Sequence, residues 1–157
     1  MSGKLVPSET GGKSVVAVIL AGGQGRRMGQ DSTHKVCYEV AGVPFILRAL
    51  QTYAECGIHS HVLVIGKLGE QIIQTVRDRF PHAGYAVQPQ LLGTGHAPRC
   101  GISLLEALGY QGDILVAMGD RLLAPAALQR LLTTFRATGS DLTMLLGAKQ
   151  DNPSSGR

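Results

Sequence analysis

An α/β fold is predicted, with a mainly parallel sheet and helices on both of its faces, and three observations predict it. Short apolar, β-branched runs alternate with longer stretches whose apolar residues follow helical spacing. The apolar runs are continuous, as in strands buried on both faces, rather than alternating with polar residues. The first run also empties directly into a loop with glycines at 22, 23, 25 and 29, and the carboxyl ends of parallel strands are where such sheets take ligands.

The elements follow in order. Residues 1–13 are polar and rich in Gly and Ser, which predicts a disordered lead-in. Residues 14–157 are expected to form one domain, opening with Ser14–Leu20 (SVVAVIL) as the first buried strand. Pro44–Cys56 places Phe45, Ile46, Ala49, Leu50, Tyr53 and Ala54 at helical spacing, with Pro44 at its start and Gly57 just past its end. His61–Ile65 is the second strand, Leu68–Phe80 the second helix and Tyr85–Gln88 a short third strand. Gly95–Leu108 is helical, Asp113–Met118 (DILVAM) is the fourth strand and Pro125–Thr138 the last helix. Asp141–Leu146 (DLTMLL) is expected as a fifth strand.

Composition narrows the function. Of 157 residues 44% are apolar, enough for one sizeable core. Lys and Arg number 15 against 11 Asp and Glu, a net +4 that suits an anionic small molecule. No dense basic run occurs and aromatic residues are only 4%, which argues against a nucleic-acid partner. Cys37, Cys56 and Cys100 are far apart and form no C-x-x-C pair, so they are expected to be small buried hydrophobes. The longest apolar run, Val15–Ala21, is far below the roughly 18 residues that cross a bilayer. No membrane partner is expected, and the default location is the cytoplasm.

Three stretches lie where a parallel sheet gathers its chemistry. Leu20-Ala-Gly-Gly-Gln-Gly-Arg-Arg-Met-Gly29 lets the backbone approach an anion and turn several N–H groups toward it, and Arg26, Arg27 and Lys35 supply charge for a triphosphate. Its spacing matches neither the P-loop nor the dinucleotide fingerprint. In Gln88-Pro-Gln-Leu-Leu-Gly-Thr-Gly-His-Ala97, the amide of Gln88 is able to donate to and accept from a base edge, Gly93 permits close approach and Thr94 offers a hydroxyl. His96 is expected to be structural, because an already ionised phosphate nucleophile needs no general base. Met118-Gly119-Asp120 ends the fourth strand with a lone carboxylate, a donor that suits Mg²⁺. Glu39, Glu55, Glu70 and Glu106 fall on exposed faces, His59, His61 and His82 lack ligand spacing, and Asp78 lies between Arg77 and Arg79 as a surface ion-pair group.

The first stretch, LAGGQGRRMG with a following Lys, resembles the signature of the sugar-phosphate nucleotidyltransferases, the family that includes N-acetylglucosamine-1-phosphate uridyltransferase. It is equally similar to the opening of the molybdopterin guanylyl- and cytidylyltransferases. The block ending L-G-T-G-H-A resembles the uracil-recognition segment of the former group, and G-D at 119–120 resembles its metal-binding motif. The resemblance implies a Rossmann-like three-layer sandwich of the nucleotide-diphospho-sugar transferase type. It makes Arg27 and Lys35 catalytic. Leu20, Ala21, Gly22, Gly23, Gln24, Gly25, Gln88, Gly93, Thr94 and Gly119 contact the nucleotide, and Asp120 holds Mg²⁺. The family has Pro where this chain has His34, a second Gln where it has Leu91, and Pro-Leu close after the Asp where it has Arg121-Leu122-Leu123.

The implied reaction is transfer of UMP from UTP to a sugar 1-phosphate, releasing pyrophosphate. A molybdopterin nucleotidyltransferase is the second reading, and a nucleotide-binding module without turnover is the third. Residues 151–157 resemble a family segment ending in Gly-Arg, beyond which the family carries its sugar-binding half and a second metal ligand. The chain is accordingly expected to be incomplete at its C-terminus.

Overall fold

The computed structural model describes residues 13–23, 33–90, 92–93 and 95–147. The chain divides into two compact units, Met1–Leu123 and Ala124–Arg157.

The first unit is built on strands β1 (Val15–Ala21), β4 (Ser60–Ile65), β5 (Gly84–Val87) and β6 (Asp113–Met118), with a two-stranded hairpin of β2 (Glu39–Val40) and β3 (Val43–Pro44). Helices α1 (Phe45–Glu55), α2 (Gly69–Val76) and α3 (His96–Ala107) complete it. The sheet order is β5-β4-β1-β6, and every neighbouring pair in it is parallel. β1 is central, with Leu20 opposite Val64 on one side and Met118 on the other. Its continuous apolar sequence is explained by that position, since Val16, Ala17, Val18 and Ile19 are all buried.

The two faces are covered by different helices. Val16, Val18, Val62, Val64 and Ala86 pack with Ala97 and Leu105 of α3. The opposite face carries His61, Leu63 and Ile65. There the ring of Tyr53 in α1 lies 6.4 Å from the His61 ring, and Phe80, beyond α2, lies 5.4 Å from it in an edge-on contact. Gly69 at the start of α2 sits so close to Ile65 that a Cβ on it would fall 2.9 Å from Cδ1. Three layers result, as the sequence predicts.

Three expectations need correction. Asp141–Leu146 forms no strand; residues 141–147 lie in no regular element, and Leu142, Met144 and Leu146 are exposed. Only Thr143 in that run is β-branched, and an extended segment persists only where a neighbour takes its N–H and C=O groups. The second helix stops at Val76 rather than Phe80, its last residues forming a turn that directs Phe80 onto His61. The three cysteines are half-buried, not fully enclosed.

The hairpin was absent from the sequence reading altogether. Its two-residue turn has positive φ at both Ala41 (50°) and Gly42 (73°), the turn whose twist matches that of paired strands. Arg48 of α1 holds it by donating to the carbonyl of Val40 at 3.0 Å.

In the second unit, α4 spans Pro125–Thr138, with Pro125 in its first turn, where a missing N–H costs nothing, and Gly139 left-handed at its end.

Candidate functional site

Because all four strands run the same way, the residues after Ala21, Ile65, Val87 and Met118 emerge together along one edge of the sheet. The chain passes from β1 outward through β4 to β5, then returns to β6 on the other side of β1. The ends of β1 and β6 are therefore the point where strand order reverses, the crevice that receives ligands in open α/β sheets.

Glycine makes the strand ends able to crowd. A Cβ on Gly22 would stand 2.7 Å from Oε1 of Gln88, and one on Gly66 would stand 2.7 Å from the carbonyl oxygen of Gly22. Gly119 donates its N–H to the carbonyl of Leu20 at 2.9 Å, which extends the β1–β6 pairing by one residue. Gly66 is a site residue that the sequence reading missed, although its place directly after the apolar HVLVI run is the same signal that marks Gly22 after β1. Gly66→Ala is expected to force these ends apart, at about 1–3 kcal/mol of stability and with loss of nucleotide binding. Thermal unfolding with and without UTP checks both effects.

Gln88 is buried at the end of β5. Its backbone N–H donates to the carbonyl of Ile65 at 2.8 Å, so the last rung of the sheet fixes it. Its side-chain Nε2 faces Nδ1 of His96 at 3.3 Å and the carbonyl of Gly93 at 3.5 Å, which turns Oε1 toward Gly22. Gly93 has φ +89°, a conformation that favours glycine and brings that carbonyl back to the amide. His96 thus acts as a neighbour that orients Gln88.

Lys35 and Asp120 meet across the crevice. Lys35 opens a short 3-10 turn, Lys35–Cys37, and its Nζ lies 2.7 Å from Oδ2 of Asp120, which follows β6. Nζ also lies 3.6 Å from where a Cβ on Gly23 would be. Partial burial by itself pushes the Asp120 carboxyl up, but the hydrogen bond and charge of Lys35 outweigh it and hold the carboxyl below its ordinary value. The residue is therefore an anion at neutral pH.

Of the predicted site residues, the structure brings together Leu20, Ala21, Gly22, Gly23, Lys35, Gln88, Gly119 and Asp120, with Gly93 beside Gln88. Arg27, Gln24, Gly25 and Thr94 lie outside the described residues, as do residues 151–157. Among the described residues no group of three His, Cys, Asp or Glu gathers in a way that would hold a metal ion. No helix among them is long and apolar enough to cross a membrane.

The chain has relatives among known proteins. A family model described as the MobA-like NTP transferase domain matches residues 17–153. The Bifunctional protein GlmU of Clavibacter sepedonicus is 35% identical over 159 residues, an alignment that takes in 100% of this chain and 32% of that protein. The chain thus spans about a third of the length of that relative. Among solved structures, UTP-bound UGPase from Acinetobacter baumannii superposes with a TM-score of 0.64 at 19% identity, covering 82% of this chain and 54% of the other. Rv0371c from Mycobacterium tuberculosis in complex with manganese gives a TM-score of 0.59 at 17% identity, covering 80% and 61%. At these identities the two structures establish the fold.

Proposed function

From the chain's place in the MobA-like NTP transferase family, to which it belongs, we propose that it transfers UMP from UTP to a sugar 1-phosphate and releases pyrophosphate. The observation that carries this reading is the Lys35–Asp120 pair at the switch point, closed over Gly23 at the start of the glycine-rich loop. It sets a cation and an anion side by side where a triphosphate and its counter-ion need them. The resemblance of the Gln88–Ala97 block to the uracil-recognition segment of the uridyltransferases favours uridine.

An oxygen of the sugar phosphate attacks the α-phosphorus as the bond to pyrophosphate breaks. The nucleophile is already ionised, so the protein's work is positioning and charge neutralisation. Loop N–H groups and Arg27 hold the β- and γ-phosphates, Lys35 meets the α-phosphate, and Gln88 with Thr94 reads the base. Asp120 fits a divalent cation such as Mg²⁺, because it is ionised and because Mg²⁺ commonly rests on one carboxylate plus phosphate oxygens. Bound there, the cation would neutralise charge developing on the reacting oxygens. These parts require neither a nucleic acid nor a membrane, and the reading places the protein in the cytoplasm.

The family model's MobA-like description favours one competitor, a molybdopterin guanylyl- or cytidylyltransferase. Thermal shifts with UTP, dTTP, CTP, GTP and ATP in the presence of Mg²⁺ separate the two, since ligand that binds only the folded state stabilises it by mass action. UTP is expected to give the largest shift; the largest shift with GTP or CTP would move the assignment to the competitor. Pyrophosphate release is then expected with glucosamine 1-phosphate or glucose 1-phosphate. Binding of UTP without release would reduce the chain to a nucleotide-holding module.

A further inference from the structure

The side-chain amide of Gln88 carries two hydrogens, and two acceptors stand beside it. Nε2 lies 3.5 Å from the carbonyl oxygen of Gly93 and 3.3 Å from Nδ1 of His96, the first residue of α3. The carbonyl decides which end of the amide faces it, because an amide oxygen turned there would set acceptor against acceptor. That carbonyl is itself held in place, since it also takes the backbone N–H of His96 at 3.3 Å. With one amide hydrogen directed to Gly93, the other meets Nδ1. Nδ1 is therefore the acceptor, and the neutral ring carries its proton on Nε2. Cys100, one turn along α3, packs against the ring with Sγ 3.9 Å and 4.0 Å from its two nitrogens. Gln88 is thus spent as a donor. What it offers the start of the glycine-rich loop is Oε1, which stands 2.7 Å from where a Cβ on Gly22 would be.

We propose that His96 is a specificity-determining positioning residue: by taking an amide hydrogen of Gln88 it keeps Oε1 turned to the nucleotide, so that the site accepts a base whose ring edge carries an N–H. Uracil and thymine present such a hydrogen on N3, and guanine presents one on N1. N3 of cytosine and N1 of adenine have none, and each would meet Oε1 as one acceptor facing another. Burial makes that mismatch costly, since Gln88 is 6% exposed and little water is at hand to answer an unpaired oxygen. The amide is fixed in place as well as in polarity, because the backbone N–H of Gln88 is bonded to the Ile65 carbonyl at 2.8 Å. An unrestrained amide reads either edge, as a half-turn exchanges its donor for its acceptor; His96 removes that freedom. The selectivity rests on the nucleotidyltransferase reading and sharpens it from a preferred nucleotide to a preferred atom.

Two variants and one spectrum test it. His96→Leu keeps a side chain of moderate bulk and removes the acceptor, which leaves the amide able to turn Nε2 toward the base. The ratio of UTP to CTP affinity, read by titration calorimetry with Mg²⁺, is expected to fall roughly tenfold to a hundredfold, the worth of one buried hydrogen-bond partner. His96→Asn restores an acceptor through Oδ1 and is expected to hold the ratio within about threefold of the wild type. A merely structural His96 would weaken both nucleotides alike, so an unchanged ratio in His96→Leu overturns the proposal, as does loss of the ratio in His96→Asn. Where a variant fails to fold, the wild-type ring decides. Long-range ¹H–¹⁵N correlation is expected to show Nε2 of His96 protonated and Nδ1 bare at neutral pH, and the opposite tautomer overturns the proposal. A wild-type preference for GTP moves the reading to the molybdopterin competitor and leaves the base class standing, whereas a preference for CTP or ATP overturns the class. Binding of no nucleotide at all overturns the nucleotidyltransferase reading and the selectivity with it.

Discussion

Lys35→Ala is expected to lower pyrophosphate release by about two to three orders of magnitude, the range seen when a preorganised group facing a developing anion is removed, while leaving thermal stability almost unchanged. The two halves of that expectation have different origins. The side chains of Lys35 and Asp120 are 27% and 37% exposed, and a pair so open to water adds little to folding. For a triphosphate in the crevice the same ammonium is the one described cation beside both Gly23 and Asp120. Lys35→Arg is not expected to restore the rate, because a broad planar fork does not replace a compact charge at 2.7 Å from Oδ2. Asp120→Asn is expected to lose rate to a similar degree and to need more Mg²⁺, since it removes the anion on which the cation would rest. Single-turnover pyrophosphate release read together with thermal unfolding checks the split. A rate within threefold of the wild type in Lys35→Ala would remove Lys35 from the reaction.

How far this site could be seen in the sequence depends on which physical signal each residue leaves. Gly22, Gly23 and Asp120 were legible because each lies within two residues of the end of a continuous apolar run, and a run of that kind announces a buried parallel strand whose carboxyl end is the ligand edge. Gln88 was legible from its block, but its orientation was not. That depends on His96, eight residues away, and on a left-handed Gly93. His34 registered only as a departure from the family's proline. Its backbone N–H is taken up by Gln71, 37 residues on, a contact that leaves no periodicity in the chain. The unformed fifth strand is the opposite case. Asp141–Leu146 carries apolarity enough for a strand, but Leu and Met fit a helix as readily, and pairing is settled by neighbours outside the run. The Ala41-Gly42 turn left a faint signal because Ala rarely takes positive φ.

Acid is expected to destabilise the fold between pH 6.5 and pH 4 by an amount that His61 largely determines. Burial pushes its imidazole down from 6.5 to about 4; the carbonyl of Ile58 opposes that weakly and the nearby His59 adds to it. The ring is 3% exposed between Tyr53 and Phe80, and its Nε2 has no hydrogen-bond partner. In the folded protein it stays neutral down to about pH 4, whereas in the unfolded chain it takes up a proton near 6.5. Across that window the unfolded state binds more protons, so stability is fully present above 6.5 and is lost as pH falls toward 4. At about 1.4 kcal/mol per pH unit the loss reaches ~3 kcal/mol. His34, whose pKa is also lowered by burial, adds in the same direction. His61→Phe keeps a ring of similar size edge-on to Phe80 and has nothing to protonate. Denaturant unfolding of both proteins at pH 7.5 and pH 4 isolates the residue, because the carboxylates and His34 titrate alike in each. The variant is expected to lose ~3 kcal/mol less than the wild type over that interval, and equal losses would mean that His61 does not remain neutral in the folded core.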